Sequence, residues 1–155
     1  MVDQRKRIGD WEGDTIIGAG RRGALVSLVE RKSSFTLIGK LARKTAAETR
    51  DAATGLLEPI KELVHTITLD NGKEFAFHGD IAKSLEADIY FAHPYSSWER
   101  GSNENTNGLL RQYFPRALDF NLITPEELAH AAKRLNGRPR KRLEFKSPRA
   151  VFLRK

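Results

Sequence analysis

Cysteine is absent from this 155-residue chain, which excludes disulfides, zinc–thiolate centres and cysteine nucleophiles. No apolar run approaches the ~18 residues of a membrane-spanning helix. The first residues, M-V-D-Q-R-K-R, lack the apolar stretch of a signal peptide. A cytoplasmic protein with no membrane partner is the expectation. Histidine is scarce, and His65, His78, His93 and His130 are scattered without ligand spacing. What remains is ordinary globular material, 39% apolar and 30% charged. The length is that of one domain, predicted to span 1–155, and suffices to bury roughly 68–70% of the unfolded surface.

Acid is in shorter supply than base, 20 residues against 27, for a net charge of +7. The imbalance is local. Residues 61–110 hold 4 basic and 8 acidic residues, whereas residues 111–155 hold 12 basic and 4 acidic. The run Lys133–Arg142, K-R-L-N-G-R-P-R-K-R, has six cations and no acid. Such a surface suits a polyanion, and DNA is the expected partner, which also makes the protein nucleoid-associated. Arg138, Arg140, Lys141 and Arg142 are the candidate phosphate contacts in this run, and Lys73 and Arg100 are candidates elsewhere.

The punctuation of the chain predicts ten elements. Residues 11–17 read as a strand, and G-A-G-R-R-G (18–23) as a turn. Ala24–Glu30 and Phe35–Leu41 read as a hairpin around Arg31-Lys32-Ser33-Ser34. Thr45-x-x-Glu48 is a capping box that starts a helix ending before Pro59. Val64–Leu69 is a short strand that runs into Asn71-Gly72. Residues 79–86 read as helix and Asp88–Ala92 as strand. His93–Gly101 is a loop, predicted to order on binding, with Trp98 in the core. Helix follows over Ser102–Phe114. Thr124-Pro125-x-Glu127 opens another, ending near Asn136-Gly137, and Ser147-Pro148 a last short one.

Three acids stand at ends of these elements. Asp14 closes W-E-G-D, Asp70 closes V-H-T-I-T-L-D, and Glu104 opens the third helix, with 33 residues between the last two. Two strand ends and a helix delivering carboxylates beside a basic surface suit Mg²⁺ or Mn²⁺, which take oxygen ligands. Two such ions about 3.5–4 Å apart can assist both oxygens of a phosphodiester exchange. Asp14 is assigned as the bridge, Asp70 and Glu104 as ligands to one ion each, and the second ion is expected with DNA bound. Asp10 and Glu12 alternate with Asp14 and are its rivals. Glu74 reads as a surface acid or one lying beside the ligands. Glu104, Asn107, Gly108 and Arg111 share a helix face, so Asn107 and Arg111 are candidate DNA contacts.

The order β-β-β-α-β-α-β-α, with acids on the first strand, the fourth strand and the long helix, is the ribonuclease H-like arrangement. W-E-G-D-T-I-I-G, T-L-D-N-G-K-E-F, Y-S-S-W-E-R-G-S-N-E-N-T-N-G-L-L-R-Q-Y-F-P and L-N-G-R-P-R-K-R-L together resemble the catalytic core of bacterial insertion-sequence transposases of the IS-thirty type. These belong to the Asp-Asp-Glu transposase and retroviral integrase superfamily. The resemblance implies an α/β integrase core with a mixed five-stranded sheet flanked by helices. It implies a Mg²⁺- or Mn²⁺-dependent polynucleotidyl transferase that cuts transposon ends and joins the 3′-hydroxyl to target DNA, acting as a homodimer. It places Asp14, Asp70 and Glu104 as the triad. Family members carry an N-terminal helix-turn-helix that binds transposon ends, and nothing like it is expected here. A catalytically silent DNA-binding or assembly module of the same fold is the alternative. Ribonuclease H itself is a third reading, opposed by the Asn-rich helix.

Overall fold

The computed structural model describes residues 7–70, 72–92 and 101–154, with residues 101–104 and 154 described by backbone alone. The expectations for Trp98, Arg100 and the loop from Pro94 fall outside these residues.

The first three strands are β1 (Asp10–Ile17), β2 (Ala24–Glu30) and β3 (Thr36–Leu41), all antiparallel neighbours. Their hairpin turns where Ser34 takes a left-handed φ of 63°. Helix α1 (Ala46–Leu57) follows, and β4 (Thr66–Leu69), α2 (His78–Leu85) and β5 (Asp88–Phe91) complete the sheet. Strand order is β3-β2-β1-β4-β5, with β4 parallel to both β1 and β5. Helices α3 (Gly101–Tyr113), α4 (Pro125–Gly137) and α5 (Pro148–Arg154) end the chain. Boundaries differ from the sequence expectation by one or two residues. The chain beyond α1 continues as a 3-10 segment over Glu58–Leu63 with Pro59 in its first turn, where proline lacks only a hydrogen bond the turn does not need.

Capping explains where two helices begin. Thr124 accepts from Glu127 N and Glu127 Oε1 accepts from Thr124 N, a complete capping box with Pro125 at the first helical position. At α1 the box is only half formed. Thr45 accepts from Glu48 N, but the Glu48 carboxylate accepts instead from Ala42 N and Arg43 N, at 3.0 and 3.3 Å.

Alternation along β1 sorts its side chains to two faces. Trp11 joins Leu28, Ile67, Leu57 and Phe152 in one apolar cluster, which α1 and α2 cover. Trp11 is fully buried and donates its indole N–H to Leu63 O at 2.9 Å. Ile16 joins Leu25, Leu110, Phe120 and Leu135 in a second cluster on the opposite face, under α3 and α4. Gly13 has no side chain for a packing reason, since a Cβ there would lie 2.7 Å from Leu69 Cδ2.

The faces also fix the acids. Asp10, Glu12 and Asp14 share the face covered by α3 and α4. Asp10 accepts from Thr66 Oγ1 at 2.8 Å and from Arg7, and Glu12 accepts from Arg31 Nε at 2.8 Å. Both acids are buried. On the outer strand, Asn136 of α4 accepts from Thr36 N and donates to Thr36 O, both at 2.8 Å. One side-chain amide thus takes the place of a neighbouring strand at the start of β3.

Candidate active site

β1, which carries Asp14, and β4, which runs into Asp70, are neighbouring strands. The parallel pairing of β1 with β4 runs from Asp10↔Thr66 to Glu12↔Thr68. The pairing ends two residues before Asp14 and Asp70, and both of these side chains are half-buried. Asp14 Oδ1 accepts from Thr15 N at 2.8 Å, and Asp70 Oδ1 accepts from Gly72 N at 2.9 Å. The second bond closes the turn after β4 and folds the chain back toward β1.

Helix α3 is tied to this point by Asn107. Its Nδ2 donates to Asp14 Oδ2 at 3.0 Å, and its Oδ1 accepts from Ser27 Oγ at 3.1 Å. Ser27 is the β2 partner of Asp14 and is fully buried. One asparagine therefore joins β1, β2 and α3. Glu104 lies one helical turn before Asn107 on α3. Among the described residues no group of three His, Asp or Glu side chains is gathered around a metal position. The Glu104 side chain is outside that description. The donors that are described, a carboxylate within β1 and one just after the adjacent β4, are the hard oxygen ligands that Mg²⁺ and Mn²⁺ take.

Beside Asp14 opens a cleft of about 550 Å³, lined by Thr15, Ile17, Lys44, Asn107, Arg111 and Arg116 among others. Arg111 Nη2 donates to Ile17 O at 3.1 Å, and its guanidinium lies 5.4 Å from the centre of the Phe120 ring. Burial, with the charge of Arg116 nearby, lowers the Arg111 pKa from its ordinary value. Its Nη1 is buried without a hydrogen-bond partner among the described residues. Gly108 is exposed and open, with no atom within 4 Å of a Cβ position. The floor of the cleft is thus accessible to a ligand backbone.

The remaining predicted contacts separate. Lys73, Arg138 and Lys141 are exposed. Arg140 is half-buried, donates to Leu135 O, and has its pKa lowered by burial and by Arg138. Arg142 donates to Lys32 O and Ser34 Oγ, so its guanidinium braces the β2–β3 turn. A second cationic hollow of about 510 Å³ lies over His130, Lys133, Arg134, Gly137 and Arg138.

Of the two sequence readings of Glu74, the surface acid is excluded by its burial. It is only 5% exposed, accepts from Thr15 Oγ1 at 2.8 Å and pairs with Lys44 Nζ at 3.4 Å. The Asn-Gly pair in the sequence was the available sign, since such pairs favour turns. Lys44 and Ser27 carried no such sign. Asp10 and Glu12, rivals to Asp14 in the sequence, are engaged by Arg7, Thr66 and Arg31 below the site.

Known proteins supply the context. The transposase for insertion sequence element IS4351 of Bacteroides fragilis is 47% identical over 152 residues, 98% of this chain and 47% of that protein. The transposase InsI for insertion sequence element IS30A of Escherichia coli K12 is 41% identical over 154 residues, 99% of this chain and 40% of that protein. This chain is a homologue of the IS30-type transposases. It spans less than half the length of these transposase relatives. No protein-family model matches it. The catalytic core domain of BIV integrase matches with a TM-score of 0.72 over 93% of each chain at 20% identity, which establishes the integrase-core fold. For this transposase homologue the mixed five-stranded sheet read from the sequence is therefore correct. No helix among its described residues is long and apolar enough to cross a membrane.

Proposed function

We propose that this chain is the catalytic core of a DNA transposase, cutting transposon ends and transferring the freed 3′-hydroxyl into target DNA. The observation that supports this reading is the parallel pairing of β1, which carries Asp14, with β4, which runs into Asp70, together with the bond from Asn107 of α3 to Asp14, one turn after Glu104. Homology to transposases at 41–47% identity supports it. Asp14, Asp70 and Glu104 are assigned as the ligands of Mg²⁺ or Mn²⁺, two ions when DNA is present. The ions supply positive charge at the attacking and leaving oxygens of a phosphodiester exchange.

The protein's own groups do the rest. Asn107 orients Asp14 by holding Oδ2. Arg111, Arg116 and Lys44 give the adjoining cleft the charge to seat a DNA phosphate, and open Gly108 admits its backbone. Arg138 and Lys141, with the hollow at Lys133 and Arg134, extend the cationic track. Two copies acting on two ends belong to this reading.

The test is plasmid nicking and strand joining in Mn²⁺, comparing the chain with Glu104→Gln, which keeps size and removes charge. Nicking and joining by the parent, lost in the variant, are expected. Equal activity in both would remove Glu104 from the site. No activity in either, together with no Mn²⁺ binding, would leave a DNA-binding or assembly module.

A further inference from the structure

We propose that Glu74 is a positioning residue of this site, clamping the turn that carries Asp70 to the strand that carries Asp14. The inference rests on the assignment of Asp14 and Asp70 as metal ligands. The described strand pairing of β1 with β4 stops at Glu12↔Thr68, short of both acids. Past that point, Thr15 Oγ1 donates to Glu74 Oε2 at 2.8 Å, a side-chain link between β1 and the 3-10 turn at Lys73–Phe75.

Partner choice separates this role from metal ligation. Thr15 and Asp14 alternate along β1, and Asn107 meets Asp14 whereas Glu74 meets Thr15. Glu74 Oε2 is taken by Thr15 and by Lys44, which balances its buried charge. On its other side the Glu74 carboxylate closes over Gly72. A Cβ at Gly72 would collide with it and would come within 2.9 Å of Asp70 Oδ1. The Thr15–Glu74–Gly72–Asp70 chain of contacts thus transmits the position of β1 to the second acid from behind.

Groups that orient metal ligands typically change metal affinity by about 10–100-fold when removed. Mn²⁺ binding to the metal-free protein, followed by electron paramagnetic resonance without DNA, is the readout, with melting temperature measured in parallel. Thr15→Val removes the donor at nearly constant shape and is expected to weaken Mn²⁺ binding about tenfold. Thr15→Ser restores the hydroxyl and is expected to restore affinity. Glu74→Gln keeps an oxygen to accept from Thr15 and is expected to weaken binding less than Glu74→Ala. If Glu74→Gln were as damaging as Glu74→Ala while Thr15→Val bound normally, Glu74 would be a ligand and the clamp would be refuted. Equal affinity in all four variants would also refute it. A parent protein that binds no Mn²⁺ would instead overturn the underlying metal assignment.

Discussion

Replacing Arg31 with methionine should destabilise this protein more than any surface change. Arg31 and Glu12 meet at 2.8 Å with side chains only 2% and 0% exposed. Methionine keeps much of the buried volume and removes the guanidinium, leaving the Glu12 carboxylate in the core without it. Breaking one side of a buried pair costs about 3–5 kcal/mol. At about 2–4 °C per kcal/mol for a chain of this size, the melting temperature should fall by roughly 6–20 °C. Removing both charges, as in Glu12→Leu with Arg31→Met, should recover most of that loss, because neither ion then needs desolvation. The assay is a double-mutant cycle by urea unfolding. A loss under about 1 kcal/mol for Arg31→Met, the range of exposed pairs, would refute the reasoning. So would a double variant as unstable as the sum of the singles. The cycle also bears on the site. If Glu12→Leu with Arg31→Met folds yet binds no Mn²⁺, then Glu12 and not Asp14 is the first ligand.

Asp10 gives an acid-side prediction. Burial pushes its pKa up, but hydrogen bonds from Arg7 and Thr66, with the charges of Arg7 and His65, outweigh this and leave it below its ordinary value. Its contribution to stability is therefore full above the unfolded carboxylate pKa of about 3.9 and is lost as pH falls through the lowered native value. Asp10→Asn should flatten that part of a melting-temperature profile against pH. Phe145 is 70% exposed and holds a left-handed φ of 65°. Phe145→Gly should raise stability by about 0.5–1 kcal/mol, the left-handed strain relieved less the extra entropy of glycine, as read by urea unfolding. On the basic tail, Lys141→Ala should lower the slope of log affinity for duplex DNA against log salt by about 1. Arg142→Ala should instead lower the melting temperature, because its guanidinium holds Lys32 O and Ser34 Oγ.

The strands, the helices and their order along the chain were legible because each carries its own periodicity and caps, whereas the mixed five-stranded sheet was legible only through the family resemblance. The Thr124 box and the Ser34 turn are local devices, and the structure has them where the residues put them. Asp14 and Asp70 were legible because Asp14 leads the apolar run of β1 and Asp70 follows that of β4. What the sequence did not disclose were long-range partners. Nothing near Arg31 names Glu12, and nothing near Asn107 names Ser27, since those pairings arise only when the sheet register is set. The two readings of Glu74 stayed open for the same reason, since it bonds Thr15, a residue 59 positions away. Arg140 and Arg142 read as part of one cationic run, yet their guanidinium groups turn onto Leu135 O, Lys32 O and Ser34 Oγ. A run of like residues gives charge, and only packing divides it into braces and free contacts.

The amide of Asn136 has a consequence for how this protein fails. Thr36 opens β3, the strand at one margin of the sheet, and an uncovered margin invites pairing with another chain. Asn136 occupies that place from α4 by accepting and donating at Thr36. The safeguard lasts only while α4 stays docked. Release of that helix alone would uncover a strand border with the rest of the sheet intact. Clumping on mild heating should then begin with the departure of α4, before the protein as a whole unfolds.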